Sequence, residues 1–327
     1  MPKLLKLPAK EILDLNPVEA PTIEASLTIL PKGEISTLPK KEIDPFVMLE
    51  PCFKRRPNRI VKDMPFDEYK RLPAINGSML KFPTSYEMVD SLTDPDNGTY
   101  AKNFGSLCHT AILESHQFEN GDWEKTYQVW TETAGLETKA ALSHLKNDPR
   151  LLITVEMLED AKRCRDAVWR HKEAARMLLE PGDCEVSGEI WDEDMQCQRK
   201  FRIDRLPHAT SSRIIDLKST RHRVSQLGKL KSQVYERGYH LQQANYLDQL
   251  AVIEGVRRPG ASLIWFRNEK PFMCRVTDLD EDTPPDQSFL HDGRALYQER
   301  MAALVLGYVE RNFEGYENED QSPILTK

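Results

Sequence analysis

Arg199-Lys200-Phe201-Arg202-Ile203-Asp204 and, a short connection later, Arg213-Ile214-Ile215-Asp216-Leu217-Lys218 decide how this chain is read. Both stretches have the texture of strands, in which alternate side chains share a face. Asp216 and Lys218 then point one way and Leu217 the other. From Ile214 the second stretch is apolar until its charges arrive at the end, and Asp204 closes the first. Strand ends of a buried sheet are where ligand sites gather. Two carboxylates and an ammonium are therefore expected to converge on one edge. Oxygen ligands of this kind suit Mg²⁺ or Mn²⁺. A cation so held can lower the pKa of a bound water and neutralise charge building on a phosphate. Alone, a D-x-K triplet is weak, since about one is expected by chance at this length, and a salt-bridged surface strand reads the same way.

The charge around these residues is uneven. The 327-residue chain carries a net charge of −7, yet residues 199–231 hold ten Lys/Arg against only Asp204 and Asp216. Phosphates respond to the local field, so the basic residues of this stretch, Arg202, Arg221 and Arg223 among them, are expected to hold a nucleic acid.

Working outward, Glu185–Trp191 and Gln198–Leu206 read as a hairpin about Asp192-Glu193-Asp194, with Ser212–Lys218 as a third strand. Upstream, 76–92 reads as a short helix ended near Pro83 and then a second. Residues 101–114 carry a helical period through Phe104, Leu107, Cys108, Ala111 and Ile112. A long amphipathic helix is expected from Ile153 to Leu179, stopped by Pro181-Gly182. Downstream come a helix over 233–253, strands at Gly260–Phe266 and Met273–Val276, and a last helix over 286–311. Helices before and after a small mixed sheet predict an α/β core. Eleven of the 21 prolines fall in residues 1–75, where they oppose helices and central strands. Residues 1–65 are therefore expected to be an extended arm, 66–316 the folded domain and 317–327 an acidic flexible tail.

Two further clusters carry chemistry. In His240-Leu241-Gln242-Gln243-Ala244-Asn245-Tyr246, Gln242 and Tyr246 share a helix face at i and i+4, whereas Gln243 does not. His109 lies on an otherwise apolar helix face, where a satisfied core histidine is the competing reading. Gly105, one turn earlier, would allow close backbone approach.

In this order and spacing, G-x-x-x-H, an Asp, D-x-K and Q-x-x-x-Y resemble the RecB-type motifs of the PD-(D/E)xK nuclease superfamily. The resemblance covers about 65–320 and is nearest to the RecE-like exodeoxyribonuclease VIII nuclease domain. Its further marks are Glu68-Tyr69, Ile75–Lys81, Phe104-Gly105 to Leu113-Glu114, Glu185 before Ile190-Trp191-Asp192, and Glu269–Phe272. It implies a restriction-endonuclease-like core, with His109, Asp204, Asp216 and the Leu217 carbonyl binding Mg²⁺, for which Mn²⁺ substitutes. It implies Lys218 as the catalytic lysine beside Asp204 and Asp216, and Gln242 and Tyr246 on a helix contacting DNA. Glu185 matches a family acid, metal-binding or structural. The chain departs in having Ile203 where relatives often carry proline, a position that ligates nothing. The implied activity is 5′→3′ digestion of one strand of linear duplex DNA, leaving a 3′ tail. A RecT-like single-strand annealing protein and a homo-oligomeric ring are the implied partners.

Within the same fold, an endonuclease and a Cas4-like nuclease compete. The six cysteines form no C-x-x-C pair, which removes the cysteine cluster of the Cas4 type and any zinc-site signal. A non-catalytic DNA-binding protein of this fold would have lost one of Asp204, Asp216 or Lys218, and all three are present. Without an 18-residue apolar run or a signal-like start, a cytoplasmic protein with reduced thiols is expected.

Overall fold

The computed structural model describes residues 44–92, 100–130, 148 and 150–313. Nine strands are found among them: β1 (Arg59–Val61), β2 (Ile75–Asn76), β3 (Tyr127–Trp130), β4 (Leu151–Thr154), β5 (Gly182–Asp192), β6 (Cys197–Pro207), β7 (Ile214–Thr220), β8 (Gly260–Arg267) and β9 (Cys274–Asp280). The helices are α1 (Pro45–Leu49), α2 (Phe66–Arg71), α3 (Ser85–Asp90), α4 (Tyr100–Leu113), α5 (Ser115–Glu119), α6 (Val155–Arg170), α7 (Lys172–Leu179), α8 (Leu227–Glu236), α9 (Tyr239–Glu254) and α10 (Phe289–Val309).

The main sheet runs β1-β5-β6-β7-β8-β9, with β2 alongside β6. It is mixed: β7 and β8 are parallel, as are β2 and β6, and the other neighbours are antiparallel. β8 is buried along its whole length, as a strand covered on both faces must be. The period-2 alternation of β7 and β8 divides two cores. Ile214, Leu263 and Trp265 pack with Leu241 and Leu247 of α9 and Leu304 of α10. Ile215, Leu217, Ile264 and Phe266 pack with Leu107 and Ile112 of α4 and Ala161 of α6. The result is a mixed sheet between helical layers, as the sequence predicts.

The arm expected to reach residue 65 differs from the structure over 44–65. Pro45 and Pro51 occupy the first turns of α1 and of the 3₁₀ turn Glu50–Phe53, where a missing N–H costs nothing. Leu49 and Cys52 are buried in the first core, and β1 pairs with β5. From this segment Arg56 and Arg59 reach Glu189 of β5 at 3.1 and 2.7 Å, a carboxylate only 2% exposed. Residues 1–43 and the tail at 317–327 lie outside the described residues.

Two expected helices are each broken. The one over 153–179 is interrupted at His171, whose backbone is extended (φ −79°, ψ 111°) and whose Nδ1 accepts the Ala174 N–H to cap α7. Its expected start at Ile153 belongs to β4. The helix expected over 233–253 is divided between α8 and α9 by Gly238, at φ +63°, a conformation that favours glycine.

Candidate active site

The site begins as a split in the sheet. β6 is paired along one edge by β5. On its other edge β2 takes Arg199 and Lys200, while β7 pairs only through Arg205↔Ile215. Between these, a side chain replaces a strand: Asp204 Oδ2 accepts the Leu217 N–H at 2.7 Å. A strand residue's N–H and C=O leave by the same edge, so the Leu217 carbonyl opens into the same gap.

Three side chains that could ligate a metal meet here. His109, Glu185 and Asp204 each offer one atom, all within 4.8 Å of one another. His109 comes from α4, with Nδ1 at 3.6 Å from Asp204 Oδ2. Gly105 does not serve the close approach expected of it, because a Cβ there would meet open space. Glu185 sits in a left-handed conformation, φ 52°, which is rare for a residue with a Cβ. It is held by Arg202, whose Nε donates to Glu185 Oε2 at 2.6 Å and whose Nη1 donates to Met64 O and Ser187 Oγ at 2.8 Å.

Asp216 and Lys218 form an ion pair beside this triplet. Asp216, expected among the metal ligands, is not part of the triplet; Lys218 takes one of its oxygens, and Gln243 Nε2 donates to the other at 3.0 Å. Lys218 Nζ also donates to Gln242 Oε1 at 3.3 Å and lies 4.3 Å from the centre of the Tyr239 ring.

Burial pushes the Asp204 carboxyl up to about 7, and the neighbouring charges of Asp216 and Glu185 push the same way, against His109 and Lys218. For Lys218 burial alone would lower the ammonium, but Asp216 and Asp204 outweigh it and raise it above its ordinary value. Two carboxylates and an imidazole are a fitting donor set for a divalent cation. A carboxyl raised by desolvation and by two neighbouring acids is a place where a cation would be favourable. The residues present therefore fit a metal.

The expected nucleic-acid contacts are only partly surface groups. Arg202 is 14% exposed and fully engaged with Glu185, Met64 and Ser187, so it is a strut for the acid. Lys200 donates to the carbonyls of Tyr69, Lys70 and Leu72. Arg205 binds carbonyls of Leu178, Glu180 and Gly182, and Arg213 binds Asp280. Much of the basic run thus holds the fold together. Arg221 and Arg223 do stay exposed on the turn leaving β7. Tyr246 is buried against Phe201 and accepts the Gln242 Nε2 hydrogen bond at 3.1 Å, so it steadies Gln242 from inside.

Gln243, set aside in the sequence because of its spacing, is the residue that reaches Asp216. It is fully buried. Its neighbours His240, Gln242 and Asn245 are polar as well, so no residue pattern singled it out.

A split mixed sheet with an Asp, a D-x-K and a neighbouring histidine defines a PD-(D/E)xK nuclease-type fold. The model of a family described as a PDDEXK-like domain of unknown function (DUF3799) matches residues 86–306. The chain belongs to that family. It is also similar to the crystal structure of a protein described as an inferred exonuclease from Eubacterium rectale, with a TM-score of 0.49 and 15% identity over 77% of this chain and 89% of that one. None of the curated proteins matches the chain. Among the described residues no helix is long and apolar enough to cross a membrane.

Proposed function

We propose that this protein is a divalent-cation-dependent deoxyribonuclease that digests one strand of linear duplex DNA from its 5′ end, leaving 3′ tails for strand annealing. The observation that carries the nuclease reading is the His109–Glu185–Asp204 triplet set against the Asp216–Lys218 pair at the parting of β6 and β7. The direction of digestion, Mg²⁺ as the ion, a cytoplasmic setting, a RecT-like annealing partner and a ring-shaped homo-oligomer rest on the motif resemblance to RecE-like nucleases.

His109, Glu185 and Asp204, with the Leu217 carbonyl beside them, would hold the cation. When bound, it supplies a water of lowered pKa and neutralises charge on the phosphate. Lys218, kept protonated by Asp216 and Asp204, donates to a phosphate oxygen as negative charge grows there. Gln242 and the Tyr239 ring fix the direction of that ammonium. Gln243 fixes Asp216, and Arg202 fixes Glu185.

Linear duplex labelled at either the 5′ or the 3′ end tests this, with and without Mg²⁺ and beside a closed circle. Early loss of the 5′ label alone, dependent on Mg²⁺ and sparing the circle, is expected. Cutting of the circle would make the enzyme an endonuclease, and cleavage indifferent to chelation would remove the metal.

A further inference from the structure

Beyond the reacting centre, a pocket of about 470 Å³ opens against the start of α9, with Tyr239 in its wall. Lys81, Arg237 and Arg300 line it against a single acid, Glu236. None of these three cations has a carboxylate partner among the described residues; Arg300 is anchored on the Phe82 carbonyl. The stem of Lys81 lies on Gly238, where an added Cβ would come within 3.0 Å of Lys81 Cγ. That contact holds the ammonium 5.6 Å from the centre of the Tyr239 ring, the same ring that carries Lys218 at 4.3 Å. Two ammonium groups thus share one aromatic platform, and like charges so placed repel. An arrangement of this kind is favourable once a polyanion spans both groups.

We propose that this pocket binds the phosphodiester backbone of the substrate strand next to the cleaved linkage, Lys81 and Arg237 each holding a phosphate while Lys218 meets the reacting one. The pocket rests on the nuclease reading and extends it by assigning where the strand runs. It lies at the turn between α8 and α9. Arg300 completes the positive wall from α10.

The test is the salt dependence of binding to a fluorescent duplex oligonucleotide, measured by anisotropy in EDTA so that nothing is cut. Lys81→Gln and Arg237→Gln are each expected to weaken binding about tenfold near 0.1 M salt. Each should flatten the plot of log affinity against log salt by about 0.9. Lys81→Arg should restore both. Arg237 is exposed, so its variant reports on the pocket even if Lys81→Gln disturbs the packing on Gly238. Unchanged slopes in both Gln variants, with wild-type binding and cleavage intact, would overturn the pocket and leave the nuclease standing. A wild-type chain that neither binds nor cuts DNA would overturn both.

Discussion

Glu185 stands directly across from Asp204 in the register of β5 and β6, at the one step between Cys184↔Arg205 and Val186↔Ile203 where no pair forms. Opposed residues in a regular antiparallel ladder bring their Cβ atoms to about 5 Å. Two carboxylates so close repel, and the left-handed backbone at Glu185 breaks the ladder there. The faces change as well. Val186 and Ile203 belong to the first core, while Cys184 and Arg205 reach Leu113 and Leu178 on the other side. A strand kinked in this way turns both acids toward His109. Such strain persists where the surroundings impose it, and it gathers at functional sites.

Lys218→Ala and Asp216→Ala should each lower the rate of end-labelled duplex cleavage by at least about a hundredfold. Duplex binding in EDTA should survive in both. An alanine variant with full Mg²⁺-dependent activity would remove these residues from the chemistry.

Arg202→Ala separates two roles. As the strut for Glu185, its loss should weaken Mn²⁺ or Mg²⁺ binding by about 10–100-fold in calorimetry. It should leave the salt slope of DNA binding as in the wild type. A flatter slope with unchanged metal affinity would return Arg202 to the phosphate contacts.

Asp204 makes the metal-free protein sensitive to pH. Its carboxyl holds a proton up to about 7 in the fold, against an ordinary value of 3.8. The folded state therefore binds more protons than the unfolded one between those values, and stability falls as pH rises through them. The contribution is full below 3.8 and lost above about 7. Thermal melts in EDTA should show a higher Tm at pH 5 than at pH 8 that narrows in Asp204→Asn. An equal pH slope in that variant would place the titration elsewhere.

Gly293 of α10 lies against the His240 backbone of α9, where a Cβ would run into the carbonyl. Backbone cannot yield as a side-chain tip can, so Gly293→Ala should cost about 1–3 kcal/mol or more in urea unfolding. Loss of less than about 0.5 kcal/mol, the range of neutral surface changes, would mean that the two helices slide apart freely.

Gln243→Leu removes the hydrogen bond to Asp216 at nearly constant volume. A tenfold lower kcat with KM unchanged is expected, the pattern of an interaction used in the transition state. Gln243→Glu should not restore the rate, since it sets a second carboxylate against Asp216. Equal kcat in the Leu variant would make the contact purely structural.

The D-x-K strand was legible because alternation is a local property, settled by two residues and the one between them. The helix-layered sheet followed from the same periods. Gln243 was not legible, because α9 is buried on nearly every side. A helix packed between a sheet and α10 has no polar face by which to sort Gln242 from Gln243. The basic run of 199–231 was misleading for another reason. Charge along a sequence says nothing of partners brought by the fold, and the carbonyls of 69–72 and 178–182 were needed to explain Lys200 and Arg205. Proline was read as a helix breaker, although at the first turn it starts one.

Glu189 shows what the proline-rich stretch does for the rest of the molecule. A fragment begun at residue 66, where composition suggests a boundary, would discard β1 together with Arg56 and Arg59, and with them both ion pairs of this carboxylate. Losing these contacts together with a paired strand draws on the small margin by which a domain is stable. This stretch is in that sense an electrical ground for the sheet, and a minimal folded fragment would keep it from Asp44 onward.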